Sequence, residues 1–264
     1  MLNIMMQKFR EQQMGIFYYF LGLFAYSWMI MGLFPTMKKM DLEALYGSYP
    51  KEILKFFGDS GIESMSKIEG FLSLEFLSLF FILIVAFYVA ATAGSIIAGA
   101  IEKRTMDFQL SQPISRTRLL FSETIVGLIN TFLLVALTSL SIWVLGKAYH
   151  VEIGEKGLLA FTIIATLFLW AIYGIALVFS SFLKSKIMVA STTLILIMSF
   201  YVFSSMTRMV DKLANYDKYS LFYLYDPQKN LESGTFNANH ALVLLAIFVL
   251  CLLTSALVFS KRDI

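Results

Sequence analysis

The sequence predicts an all-α integral membrane protein, a single domain of residues 1–264 with six membrane-spanning helices and both termini on the cytoplasmic side. Three observations predict it. Apolar residues make up 58% of the 264-residue chain and charged residues 15%. Soluble chains run nearer half apolar and a quarter charged, so a soluble fold of this size has too little interior to hide the excess. The apolar residues fall in six blocks of roughly twenty, the length that crosses a bilayer as a helix. Lysine and arginine crowd the short segments on one side of those blocks, which marks the cytoplasmic side.

Taken in order, residues 1–14 place Leu2, Met5, Met6 and Phe9 at helical spacing, with Lys8, Arg10 and Glu11 on other faces. This predicts a short helix lying along the membrane surface. The first span, 15–34, is too long for the apolar core of a cleaved signal peptide and has no small-residue cleavage pattern after it. An external segment, 35–73, follows, with a helical-looking stretch after Pro50. The second span, 74–100, carries two ridges of small residues, Ala90/Gly94/Ala98 and Ala91/Ser95/Gly99. Such ridges let helix backbones approach closely in lipid, within a subunit or across a dimer. After a polar connection at 101–118 come spans at 119–145, 158–183, 187–206 and 241–259. A brief external turn separates the third from the fourth, and the external segment 207–240 separates the fifth from the sixth.

None of the spans has Asp, Glu, Lys or Arg near its middle, where each would oppose insertion by about 2.5–3.5 kcal/mol. The cytoplasmic segments hold Lys8, Arg10, Lys103, Arg104, Arg116, Arg118, Lys184, Lys186, Lys261 and Arg262. On the other side the basic residues are diluted over longer loops and mixed with acids such as Asp41, Glu43, Glu52, Asp59, Glu63 and Glu69.

Several chemistries are excluded or disfavoured. No G-x-x-x-x-G-K-[ST] loop exists; Gly94 to Gly99 is followed by Ala100-Ile101, without the lysine and hydroxyl that hold phosphates and Mg²⁺. No H-E-x-x-H or G-x-S-x-G motif is present. Glu75, Glu102, Asp107 and Glu123 are dispersed, so an enzyme is not expected. No catalytic or metal-binding residue is assigned. One cysteine, Cys251, rules out an internal disulfide, and a net charge of +3 gives no support to nucleic-acid binding. Coupling to an ion gradient needs ionisable groups inside the membrane, and none is expected there, which disfavours proton or sodium coupling. Methionines near the first span (Met29, Met31, Met37, Met40) could in principle hold Cu(I), but packing explains them more simply.

The connection at 101–118 is the sharpest local feature. Pro113 lacks an N–H and pushes Gln112 out of the helical region, so a helix ends there. Ser115 is a candidate N-cap for the next. The product is a helix–break–helix elbow, able to dock on a cytoplasmic protein; the alternative is an ordinary basic loop.

Glu102, Thr105 and the run Gln112-Pro113-Ile114-Ser115-Arg116-Thr117-Arg118 resemble the signature of ABC-2-type exporter permeases, with a type V exporter-like fold. Tyr49-Pro50 with Phe57-Gly58, Tyr225-Asp226-Pro227, Glu232-Ser233-Gly234 and the ending Lys261-Arg262-Asp263 resemble the same family in the same order. Glu123 departs from it, standing near where the family often has lysine. The resemblance implies two permeases, identical or different, in a bacterial or archaeal plasma membrane, joined to two cytoplasmic ATPase subunits that bind ATP and Mg²⁺. It implies a coupling elbow of Glu102, Arg104, Thr105, Met106, Asp107, Phe108, Gln112, Pro113, Ser115 and Arg116, with Met106 and Phe108 as apolar contacts to the ATPase. Arg104, Arg116 and Arg118 would pair with acidic groups or lipid phosphates.

A substrate path would draw on Thr92, Asn130, Thr138, Thr166, Thr192, Thr193 and Ser199; such groups more often bond to helix carbonyls. Uncharged spans suit a hydrophobic peptide, drug or lipid. The rival functions are a membrane scaffold that docks a cytoplasmic protein and an autonomous secondary transporter.

Overall fold

The computed structural model describes residues 2–37, 66–106 and 115–262. Within them the chain is helical, with no strand. Helix α1 (Leu2–Met37) is a single 36-residue helix, so the expected surface helix at 1–14 is continuous with the first span rather than a separate element. The reason is local: between Lys8 and Met14 stand good helix formers, and Gly15 alone does not break the ladder.

The second span differs from the uninterrupted 74–100 helix expected. It begins as α2 (Ile68–Leu72), passes through a π-helical turn at Ser73–Leu77, and continues as α3 (Phe80–Ile96) at a bend of 42°. Ser78 N donates to Ser73 O, an i to i−5 bond, and the two hydroxyls lie 3.3 Å apart. Serine side chains that bond locally favour such departures from the α ladder. A second break at Ile97 separates α3 from α4 (Ala98–Glu102). There the Ser180 hydroxyl accepts from Ala98 N at 3.1 Å and donates to Gly94 O at 3.4 Å, inserting into the ladder where those two groups would otherwise meet.

Helices α5 (Arg116–Ala148), α6 (Glu155–Phe182), α7 (Lys186–Met209) and α9 (Ala238–Lys261) follow, with 3₁₀ turns at Asp211–Tyr219 and Leu221–Leu224 and the short α8 (Pro227–Ser233) between the last two. Among the described residues five helices, α1, α5, α6, α7 and α9, are long and apolar enough to cross a membrane; the bent α2–α3 pair makes a sixth if counted as one.

Helix α6 is the centre of the bundle, packed against α3, α5 and α9. Its contact with α9 is close because Gly174 has no side chain: a Cβ there would sit 3.0 Å from Cys251 Cβ and 3.2 Å from Phe248 O. The Gly94 ridge likewise serves a contact inside the chain, with a would-be Cβ 3.1 Å from Val189 Cβ on α7. At the end away from the elbow, α8 is specified by its sequence: Asp226 caps Lys229 N at 3.0 Å, Pro227 opens the helix, and Gly234 closes it at φ 66°. Tyr225 stacks on Phe168 and donates to Leu77 O at 2.9 Å, tying this motif to the π turn.

Candidate functional site

Two constellations at the elbow end of the bundle carry the charged groups. The first joins helix termini. Glu102, the last residue of α4, accepts from Lys186 N at 2.8 Å and from Ser185 Oγ at 3.1 Å, so its carboxylate caps the start of α7. A negative charge there meets the unpaired N–H groups and the positive end of the helix dipole. Arg262, just past α9, donates to Ser180 O, Ser181 O and Leu183 O at 3.2, 2.7 and 3.0 Å. Its guanidinium thereby satisfies the last carbonyls of α6. Burial among these groups lowers the Arg262 pKa from its ordinary value. Arg116, the first residue of α5, donates to Arg262 O at 2.6 Å and Phe259 O at 3.3 Å. Three charged side chains thus clasp α4 to α7, α9 to α6, and α5 to α9.

The remaining elbow residues divide. Ser115 accepts from Arg118 N at 3.3 Å and is the N-cap of α5, as its sequence position suggested. Arg104 turns the chain at φ 54°, and Thr105 N and Oγ1 both donate to Ala100 O. Met106 is only 1% exposed and belongs to the core, which corrects its expected role as an outward apolar contact. Arg116 donates within the chain, to the end of α9. Asp107, Phe108, Gln112 and Pro113 lie outside the described residues, as do Tyr49-Pro50 and Phe57-Gly58.

The second constellation is a buried polar seam. Lys8 on α1 pairs with Glu123 on α5 at 3.5 Å and with Glu11 at 3.7 Å. Glu123 is 6% exposed and Lys8 side chain 27%, so the pair opens toward one end of the bundle. Two turns further, about 10 Å at the helical rise, Asn130 Nδ2 donates to Gln12 Oε1 at 2.6 Å. Between them Gly127 leaves room for the buried Tyr173. Among the described residues the buried Thr124 Oγ1 beside this seam has no hydrogen-bond partner, an unusual state for a buried polar group, while Tyr88 Oη faces the Asn130 side chain. The expectation that no ionisable group lies inside the helices is corrected: Glu123 does, near one end, compensated by Lys8.

Sequence reasoning missed this seam, although its spacing was visible. Glu123, Gly127 and Asn130 recur at i, i+4, i+7, as do Lys8, Gln12 and Gly15, so each set occupies one helix face. What the sequence lacked was the pairing of α1 with α5.

The other candidate path residues do not converge. Thr92, Thr138, Thr166, Thr193 and Ser199 each donate to a carbonyl of their own helix, and Thr192 is exposed. Met29 is exposed and Met31 buried, so these two methionines face different environments.

A bundle of apolar helices built around a central span, with its charges gathered at helix ends, defines a multi-pass membrane protein. The chain belongs to the family described as the multidrug efflux system permease Rv1217c, C-terminal domain, whose model matches residues 8–260. Membership makes it a transport permease. No curated protein and no solved structure matches it.

Proposed function

We propose that this chain is the permease subunit of an ABC exporter, resident in the plasma membrane with both termini cytoplasmic. It moves an apolar or amphipathic substrate outward with ATP hydrolysed by a separate ATPase subunit, and it works with a second permease. The single observation that carries this reading is the clasp. The segment at 101–118, which resembles a coupling elbow, is flanked by Glu102 and Arg116, whose side chains hold the ends of α7 and α9. Arg262 extends the hold to α6. A push on the elbow from a cytoplasmic partner would therefore reach five helices at once, α4, α5, α6, α7 and α9. The family match supports efflux, and the density of Lys and Arg supports the orientation.

The test co-expresses the chain with an adjacent-gene ATPase and follows both co-purification and ATP-driven efflux from vesicles. Phe108→Asp should release the ATPase. Glu102→Ala and Arg116→Ala should retain it yet lower efflux, because they loosen transmission and not docking. Efflux that persists without any ATPase, driven by an ion gradient alone, would overturn the proposal.

That outcome would favour the second reading, an ion-coupled transporter, for which the buried Lys8–Glu123 pair is the one supporting observation. The pair lies at one end of the bundle, and the seam continues inward through uncharged amides. This leaves ATP coupling the better account.

A further inference from the structure

At the end of the bundle opposite the clasp, a cavity of about 100 Å³ lies between the π turn, α7 and the segment leading into α8. At about 15 Å³ per water position it is several times what one water needs. Its walls carry Glu75 from the π turn, Arg208 from the last turn of α7, and Asp226, with Tyr201, Ser205 and Phe222 between them. Opposite charges thus line one small cavity without meeting: among the described residues, neither the Glu75 carboxylate nor the Arg208 guanidinium is in an ion pair. Asp226 Oδ1 accepts only the backbone bond from Lys229.

The surroundings say what kind of molecule could bridge them. The turns of α7 that lead to Arg208 expose Ile195, Val202 and Met206, and Phe80 is exposed just past the π turn. The cavity therefore sits where an apolar, lipid-facing surface meets the polar end of the bundle. A ligand that fits both has an ammonium and an anionic group a few bonds apart, and an apolar tail to lie along α7.

We propose that this cavity binds the headgroup of a zwitterionic phospholipid bearing a primary ammonium, phosphatidylethanolamine, in the leaflet away from the clasp. The phosphate pairs with Arg208, whose planar donors suit phosphate oxygens. The ammonium donates to Glu75 and Asp226, with the Tyr201 and Phe222 rings beside it. The acyl chains cover Val202 and Met206. A trimethylated ammonium keeps its charge but has no N–H to donate, so phosphatidylcholine binds less well. Phosphatidylglycerol offers the phosphate and neutral hydroxyls but no ammonium to meet Glu75 and Asp226.

The test uses the full chain, delipidated in detergent, and measures retention of dioleoyl phosphatidylethanolamine, phosphatidylcholine and phosphatidylglycerol by native mass spectrometry. Phosphatidylethanolamine should be retained about tenfold better than the other two, the factor that one well-placed charge-assisted bond gives. Glu75→Gln should abolish that preference while leaving phosphatidylglycerol retention unchanged. Arg208→Met should weaken all three. Ser205→Phe, which fills the cavity without altering charge, should weaken phosphatidylethanolamine, and Glu152→Gln, on the exposed turn after α5, should change nothing. Thermal melts confirm that each variant is folded. Equal retention of the three lipids, or wild-type retention by both Glu75→Gln and Arg208→Met, would overturn the proposal. So would binding of soluble glycerophosphoethanolamine as tight as that of the lipid, because the occupant would then be a free zwitterion.

Discussion

Gly127→Ala should destabilise the bundle through one contact, and the size of the loss follows from the geometry. A Cβ at Gly127 would lie 2.5 Å from both Cζ and Cε2 of Tyr173, and nearer still to its hydroxyl. Carbon atoms in contact prefer about 3.5–4.0 Å, so the ring would have to retreat by about 1 Å. Tyr173 is fully buried on the central helix and has nowhere to go without moving α6 against α5. Overpacking of this kind costs about 1–3 kcal/mol. Two ring carbons and the hydroxyl oxygen are involved, which points to the upper half of that range. At roughly 2–4 °C per kcal/mol the unfolding midpoint should fall by about 4–12 °C, read with a thiol-reactive dye at the single, half-buried Cys251.

The same contact supplies its own control. Tyr173→Ala alone should cost about 3–5 kcal/mol, as large aromatic truncations do. In that background Gly127→Ala meets no ring and should cost almost nothing. The cycle should then be non-additive by about 2 kcal/mol, where independent sites add within about 0.5 kcal/mol. Tyr173→Phe should not relieve the clash, because the ring carbons remain. A wild-type midpoint for Gly127→Ala, or an equal loss in both backgrounds, would refute the idea that Gly127 is there to admit Tyr173.

Three further outcomes are expected. Gln12→Leu should cost about 1–3 kcal/mol by leaving the buried Asn130 amide without its partner, while Gln12→Leu with Asn130→Leu recovers most of it; midpoints in detergent decide. Arg262→Ala should cost about 1–3 kcal/mol through its charged bonds to the end of α6, and Arg262→Lys should restore only part, lacking the planar fork. Burial first, then the Asp226 carboxylate, push the Tyr225 pKa well above 10.0. The folded state then holds this proton longer than the unfolded chain, so its stabilisation is complete below pH 10 and is lost as pH rises beyond it. Tyr225→Phe should cost about 1 kcal/mol at neutral pH and make the alkaline loss shallower in a pH series of melts.

Much of the helical layout was legible because it rests on periodicity and length. The blocks at 119–145, 158–183, 187–206 and 241–259 lie within α5, α6, α7 and α9, apart from Leu183, which ends α6. The Ser115 cap follows from side-chain chemistry that acts over three or four residues, and the same chemistry builds the Pro227–Ser233 helix that the external segment 207–240 was not expected to hold. What was not legible depends on partners far apart in the chain. The break at Ile97 needs the Ser180 hydroxyl. The burial of Glu123 needs Lys8, and with it the union of residues 2–14 with the first span. Met106 read as an apolar contact to the ATPase through the resemblance alone, yet it closes the core beneath the turn at Arg104.

The charged residues at the elbow also bear on how a push at 107–114 would travel. Had Glu102 and Arg116 been free surface charges, a displaced elbow could swing on its two tethers without moving the spans. Each is instead bound to the end of another helix, in bonds of 2.6–2.8 Å that involve at least one ionised group, the stronger class of hydrogen bond. The ends of α4 and α5 therefore cannot move independently of α7 and α9. Above the clasp, the contacts that would have to slide are the small-residue ones, Gly94 against Val189 and Gly174 against Phe248 and Cys251. These are smooth and uncharged. A stiff, polar end joined to these uncharged small-residue contacts is an arrangement in which a displacement applied at one end would tilt helices as bodies rather than bend them.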